Sequence, residues 1–454
     1  EIYAPFDSLV LSVILQNDGR KTERILGSMT EAVKAQSWET AQWERLKKIF
    51  SSTELQIVSF TITEKGYALT GTDGKYLSAV SQDIENGPEK ASTAMAVVTS
   101  MLLERFKTGG APLALVSMDN CSRNGDRLKN AILMIAREWE KRKFVNEKFV
   151  QYISASGKIA FPWTMIDKIT PRPSEKIAEE LEKAGVEGMK PIMTSKKTFI
   201  APFVNAEEPQ YLVIEDDFPN GRPKLEKAGV FMTDRETVNK SERMKVTACL
   251  NPIHSALAPY GCLLGYTLFS DEMKDTDMLK LAHLVGDEGI AVVSDPGILS
   301  PEKFLQECIG ERFPNPYLGD TVQRIVTDIS QGVGVRFGET INSYVKKDGS
   351  AKSLKGIPVA IAGWLRYLLA VDDRGMPFEL SPDPLNDELQ KCLSGVQLGN
   401  PLSLKDQAKC ILANENIFGV NLYKAGIGEK IEEILRSEIE GIGSVRKTVK
   451  QYLG

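Results

Sequence analysis

The chain has 454 residues, 42% apolar and 26% charged, with a formal net charge of −5 and a pI near 5.5. That length exceeds what one hydrophobic core organises, so two domains are expected, and the acidic balance with both signs mixed along the chain argues against a nucleic-acid partner. The longest apolar stretches, Ala94 to Leu103 and Ser255 to Phe269, are too short or too interrupted to cross a bilayer, so no membrane partner is expected.

Residues 1 to about 170 alternate β-rich runs with helical patterns, the rhythm of a parallel α/β sheet. Leu9 to Leu15, Gln56 to Thr63 and Leu113 to Met118 read as strands, while Ala91 to Phe106 and Arg127 to Lys141 keep apolar residues at helical spacing. A helix at Ser174 to Ala184 and strands at Thr198 to Val204 and Tyr211 to Glu215 extend this first unit. After Glu242 almost every segment is helical in pattern: Thr276 to Val285, Pro301 to Glu307, Thr321 to Ser330, Gly356 to Ala370, Leu404 to Ala413 and Gly428 to Glu440. The expected architecture is an α/β Rossmann-type domain over 1–240 followed by a mostly helical substrate and catalytic domain over 241–454. Three glycine pairs, Gly332/Gly334, Gly426/Gly428 and Gly441/Gly443, lie outside any strand-to-helix junction and read as turns rather than nucleotide fingerprints.

The six cysteines, at positions 121, 249, 262, 308, 392 and 410, have no Cys-x-x-Cys spacing and no close histidine. Neither a disulfide framework nor a metal site is signalled, and a reducing, cytoplasmic compartment is expected. With only His254 and His283, chemistry needing several imidazoles is largely excluded.

Three segments carry candidate chemistry. In Leu113 to Gly125 an apolar strand runs into a polar turn, which places Met118, Asp119 and Asn120 at a strand's carboxyl end, where doubly wound sheets collect ligands; a helix cap made of the same residues is the ordinary alternative. In Phe161-Pro-Trp-Thr-Met-Ile-Asp-Lys-Ile-Thr-Pro171, Asp167 sits among apolar residues and needs a partner, with Lys168 or Arg172 nearest in sequence. In Glu242 to Leu257, Lys245, Asn251 and His254 fall within ten positions. If a helix starts near Asn251, Asn251 and His254 share a face and Lys245 arrives from the preceding turn or strand. Singly these three read as a solvated charge, an N-cap and a core histidine. Together they match alcohol oxidation, where a base takes the hydroxyl proton and donors steady the oxygen. Lysine serves as that base only if its pKa of about 10.4 is lowered by burial or neighbouring positive charge.

In order, these segments resemble motifs of the mannitol dehydrogenase family of polyol-specific long-chain dehydrogenases, with further likeness at Thr61 to Tyr67 and Val213 to Pro223. The resemblance implies a metal-independent dehydrogenase using NAD, with NADP possible, on a small-molecule polyol or sugar acid; oligomeric state is left open. It implies Lys245 as general acid/base, Asn120 and Asn251 as donors to the reacting oxygen, His254 as an orienting group, Asp167 at the substrate pocket and Glu242 passing the proton to water. An ionised Glu242 beside Lys245 would raise the lysine pKa, so it must be distant, swinging or protonated when the base acts. Thr63, Glu64, Met118 and Asn120 are the expected cofactor contacts.

Some positions depart from the mannitol-oxidising pattern. Lys245 precedes Asn251 by six residues rather than five, Trp163 replaces an asparagine, and Gly332 stands where those enzymes carry lysine. These features resemble the D-mannonate oxidoreductase (fructuronate reductase) branch and make D-mannonate and D-fructuronate the expected pair, with Arg324 and Arg336 as candidate holders of the carboxylate. Mannitol or another neutral polyol is the alternative, and a non-catalytic sugar-acid-binding protein is the alternative of another class. The family's opening strand, glycine-rich turn and helix do not precede Glu1. Weak cofactor binding is therefore expected of the chain as given, with residues upstream of Glu1 expected in the native protein.

Overall fold

The computed structural model describes residues 3–71, 73–195 and 197–454. An antiparallel hairpin comes first, β1 (Val10–Leu15) and β2 (Lys21–Leu26). It is followed by β3 (Ile57–Phe60), β4 (Leu113–Ser117) and β5 (Ile159–Ala160), an all-parallel sheet in that order. Helix Ala94–Lys107 crosses between β3 and β4, and helices Asn124–Lys141 and Glu147–Ser154 cross between β4 and β5. This is the βαβ arrangement that the alternating pattern predicts. Every residue of β4 is buried because the crossovers cover its faces.

A second sheet joins the halves. β6 (Thr164–Asp167) precedes the short pair β7 (Ile192–Met193) and β8 (Phe199–Ile200), then β9 (Phe203–Glu207), β10 (Tyr211–Glu215) and β11 (Phe231–Thr233). β10 pairs antiparallel with β6 and parallel with β11, while β9 runs parallel to β1. One apolar core fills the first α/β unit around Ile132, Trp139 and Leu102. The larger core of the helical half, around Leu257, Tyr260 and Trp364, also takes in Trp163, Met165 and Val213. The β6–β10–β11 sheet therefore packs against the helical half, which places the ends of β4 and β6 beside it. No helix among the described residues is long and apolar enough to cross a membrane.

Several expected elements differ. The strand read as Gln56 to Thr63 stops at Phe60, because the Asp119 carboxylate takes the N–H groups of Ile62 (3.0 Å) and Thr63 (2.8 Å) away from any ladder. The strand read as Thr198 to Val204 is divided at Pro202, which has no N–H to donate. Helix Thr321 to Ser330 breaks at Asp328, whose φ is 56°, and Leu404 to Ala413 contracts to Lys409–Leu412. Gly332 and Gly334, read as a turn, are helical. Helix Arg235–Met244 runs across position 240. The cysteine reading is also corrected: Cys392 and Cys410 form a disulfide, with Cα atoms 5.8 Å apart. They stand 18 positions apart, and only the packing of helix Asn386–Cys392 beside Lys409–Leu412 brings them together.

Candidate active site

Lys245 comes from a helix, not from the turn or strand expected. Helix Arg235–Met244, capped by Asp234 accepting from the Thr237 N–H at 2.9 Å, passes into a π-helical turn, Lys245–Cys249, and then into helix Asn251–Leu264. Pro252 accounts for where the new helix begins. It has no N–H for the carbonyl four residues back, and it sits in the first turn of helix Asn251–Leu264, where that N–H would have no helical partner. The wider turn closes through the Leu250 N–H to the Lys245 carbonyl at 3.1 Å. Gly289 lets a neighbouring helix press on this turn: a Cβ there would lie 2.8 Å from the Cα of Ala248.

The Lys245 side chain is 1% exposed. Its Nζ donates to Asn120 Oδ1 at 2.6 Å and to the Ile166 carbonyl at 2.9 Å. Burial lowers its pKa, opposed by the charges of Asp167 and Glu242 and helped by that of Arg312. Two neutral acceptors match the two protons of an uncharged amine. In that state the lone pair points elsewhere, which is the geometry a base requires.

Of the other predicted residues, Asn120 is the one in hydrogen-bond contact with this amine among the described residues. Asn120 ends the stretch leaving β4 and, as acceptor from Lys245, keeps its NH₂ free to donate. Asn251 is the first residue of its helix, so it is not the N-cap; Leu250 holds that position, without a side-chain cap. His254, three residues on, packs against Phe269 and Phe313 with ring centroids 4.9 and 4.7 Å away. Burial, reinforced by the charges of Arg336, Arg312 and Arg324, pushes its pKa down to about 3, so the imidazole is neutral near pH 7. Glu242 lies one turn before Lys245 and is half-buried. Arg336 bonds Ser255 Oγ at 2.7 Å, whereas Arg324 is exposed and pairs with Asp320.

Asp167 does not pair with Lys168 or Arg172. Its partner is Arg312, from a second π-helical turn, Cys308–Arg312, which contacts it through two nitrogens at 2.6 and 3.0 Å and also binds Glu207 at 2.7 and 3.0 Å. Sequence reasoning missed both Arg312 and Glu207. The signal was Asp167's need for a cation, but the partner stands 145 positions away.

Of the expected cofactor contacts, Thr63 and Glu64 line a cleft of about 780 Å³ beyond the carboxyl end of β3, with Tyr67, Leu69, Arg127 and Met134. Thr63 has φ 61° and ψ 165°, a conformation nearly confined to glycine, and the Asp119 bond to its N–H holds it there. Tyr67 Oη donates to the same carboxylate, and Glu64 pairs with Arg127 at 2.6 Å. Met118 packs against the far face of the parallel sheet beside Val116 and Ala160. The cleft combines apolar walls, a cation and a strand-end position, a combination that accommodates an aromatic ring joined to phosphates.

The sequence comparisons agree across nearly the whole chain. Residues 9–227 match the Mannitol dehydrogenase Rossmann domain, and residues 237–437 match the Mannitol dehydrogenase C-terminal domain. The chain is 51% identical to a D-mannonate oxidoreductase of Thermotoga maritima over 457 aligned positions, covering 100% of this chain and 84% of that protein. A D-mannonate oxidoreductase of Escherichia coli is 29% identical, with 91% and 78% covered. Among solved structures, a substrate-free D-sorbitol dehydrogenase superposes with TM-score 0.81 at 27% identity, covering 100% of this chain and 85% of that one. The Pseudomonas fluorescens mannitol 2-dehydrogenase in ternary complex with NAD and D-mannitol gives 0.69 at 26%, covering 99% and 84%. The chain, a Rossmann-like domain followed by a helical one, belongs to the mannitol dehydrogenase family and is an oxidoreductase acting on CH–OH groups.

Proposed function

We propose that this protein interconverts an open-chain sugar acid and its keto form, with D-mannonate and D-fructuronate as the pair, and that Lys245 is the acid/base. The observation that carries the mechanism is the buried Lys245 amine donating to two neutral oxygens, with no carboxylate in hydrogen-bond contact among the described residues. The substrate assignment rests on the 51% identity to a D-mannonate oxidoreductase.

In the oxidation direction the substrate hydroxyl sits in the third, unoccupied direction of the amine and gives it a proton. The Asn120 and Asn251 amides donate to the same oxygen as it passes through alkoxide character. His254, neutral and with no hydrogen bond to its ring among the described residues, orients a neighbouring hydroxyl. Nicotinamide dinucleotide, which Thr63, Glu64 and Asn120 would help to hold, would supply the two-electron acceptor for the hydride leaving carbon, so that the alcohol becomes the ketone while its hydroxyl proton is held on Lys245. Glu242, one turn back along the helix, passes that proton to solvent.

The direct test is a substrate panel, D-mannonate and D-fructuronate against D-mannitol and D-sorbitol, with NAD and NADP, followed by nicotinamide absorbance. Turnover of the acid pair above the neutral polyols is expected. Higher kcat/KM for mannitol would replace the assignment with a neutral polyol, and ligand binding without turnover would replace it with a binding protein.

A further inference from the structure

Arg336 belongs to a third π-helical turn, Gly334–Gly338, which packs against the Lys245–Cys249 turn and against helix Asn251–Leu264. Its guanidinium is largely enclosed, yet among the described residues no carboxylate lies within 4.0 Å of it. A single side-chain bond holds it, Nη1 to Ser255 Oγ at 2.7 Å. None of its nitrogens is among the buried polar atoms lacking a partner, so the free ones face open space rather than protein. Three other buried arginines differ. Arg105 spends its donors on five backbone carbonyls, Arg312 on two carboxylates, and Arg366 on three carbonyls. An enclosed fork with unused donors is a receptor for a planar anion.

Its position suits the reaction. Ser255 lies four residues after Asn251 on one helix, so the two share a face about one turn apart, about 6 Å along the axis. That separation matches an open-chain sugar acid whose reacting carbon is several carbons from its carboxylate. The guanidinium also depends on Gly332. A Cβ at that position would lie 2.6 Å from Arg336 Cζ and 2.7 Å from Nε, so any side chain there displaces the fork.

We propose that Arg336 receives the substrate carboxylate and that Gly332, by leaving the fork its room, is the second determinant of acid over neutral polyol. Arg324 is excluded from this role by its exposure and its pairing with Asp320. The inference rests on the sugar-acid reading above, and a binding measurement separates the two. D-mannonate and D-mannitol are titrated calorimetrically into wild type, Arg336→Met, Arg336→Lys and Gly332→Val, and the same proteins are assayed for kcat and KM. Arg336→Met should weaken D-mannonate binding by about tenfold to a hundredfold, the range for a charge-assisted pair, mostly in KM, and leave mannitol within about threefold. Arg336→Lys should recover part of the loss, and Gly332→Val should act in the same direction as Arg336→Met without touching the arginine. Equal loss for acid and polyol, or no loss in Arg336→Met, overturns the proposal, as does failure of wild type to bind mannonate at all. If Arg336→Met melts early, Gly332→Val carries the test by the same criteria. Mannonate that binds through Arg336 without being turned over would sink the functional reading and leave this one standing.

Discussion

Two neighbouring residues of β6 serve two buried cations in opposite ways. The Asp167 carboxylate, with Glu207, surrounds Arg312, which is 1% exposed and held by four hydrogen bonds. The Ile166 carbonyl receives Lys245, equally buried, with only the Asn120 amide oxygen beside it among the described residues. Arg312 keeps its charge, since its carboxylate partners outweigh its burial. Lys245 lacks such contacts, and burial pulls its pKa down. A buried cation with its counter-ions is a clamp between the halves, whereas one without them is either neutral or waiting for a ligand.

The sharpest way to break this comparison is to remove each cation. Lys245→Ala should reduce kcat for sugar-acid oxidation by at least about a hundredfold, the lower end for general acid–base catalysis, with a modest effect on stability. The remaining pH dependence sharpens the point. Because Lys245 must be deprotonated to accept a proton, wild-type oxidation should rise with pH through its lowered pKa and ketone reduction should fall, while the variant loses that limb. Activity near wild type removes Lys245 from the mechanism. Arg312→Met leaves two carboxylates buried without a cation and should cost about 3–5 kcal/mol in urea unfolding. A neutral result there would mean that the clamp contributes nothing net and that the distinction between the two cations is only one of geometry.

The legibility of these features in the sequence divides along the same line. The segments that meet at Lys245 and Asn120 were legible because each is a short polar stretch beside an apolar one, and Asn251 and His254 were singled out with Lys245 for the same reason. The parallel strands β3 and β4 and the helices after them were legible because their periodicity is local. Arg312 and Glu207 were not, since each looks like an ordinary surface charge until the chain brings both to Asp167. The π-helical turns were equally hidden: Pro252 signals an interruption, but the i to i+5 closure at Lys245 depends on packing from Gly289. The hairpin strand Lys21–Leu26 escaped because it is exposed and carries three charges in six residues. The Cys392–Cys410 pairing has no spacing that distinguishes it from six scattered thiols.

Glu438 extends the comparison to a buried anion. It is 0% exposed, accepts from Tyr260 Oη at 2.6 Å, and its other oxygen has no partner among the described residues. Burial pushes its pKa up to about 8, so it folds protonated where the unfolded chain would be ionised. A raised folded pKa means stability present at low pH and lost as pH climbs from about 4.5 toward 8. Glu438→Gln keeps the acceptor for Tyr260 and removes the titration. The variant should lose that decline and melt higher than wild type at pH 8, while matching it near pH 4.5. Parallel pH profiles for the two proteins would show that a cation, not a proton, compensates Glu438.

Arg324 supplies the smallest effect and the control. It is 66% exposed at the side chain and pairs with Asp320 four residues away. Such pairs contribute less than about 1 kcal/mol, because water screens both charges and two long side chains must be ordered to make the contact. Arg324→Ala should therefore leave the urea midpoint almost unchanged. It should also lower D-mannonate kcat/KM by less than Arg336→Met does, since its guanidinium is already occupied and solvated. If Arg324→Ala proves the more damaging of the two, enclosure without a counter-ion does not identify the anion receptor. Arg336 would then be a cation stabilised by its surroundings, like Arg105, and the rule drawn from Lys245 and Arg312 would hold for proton transfer alone.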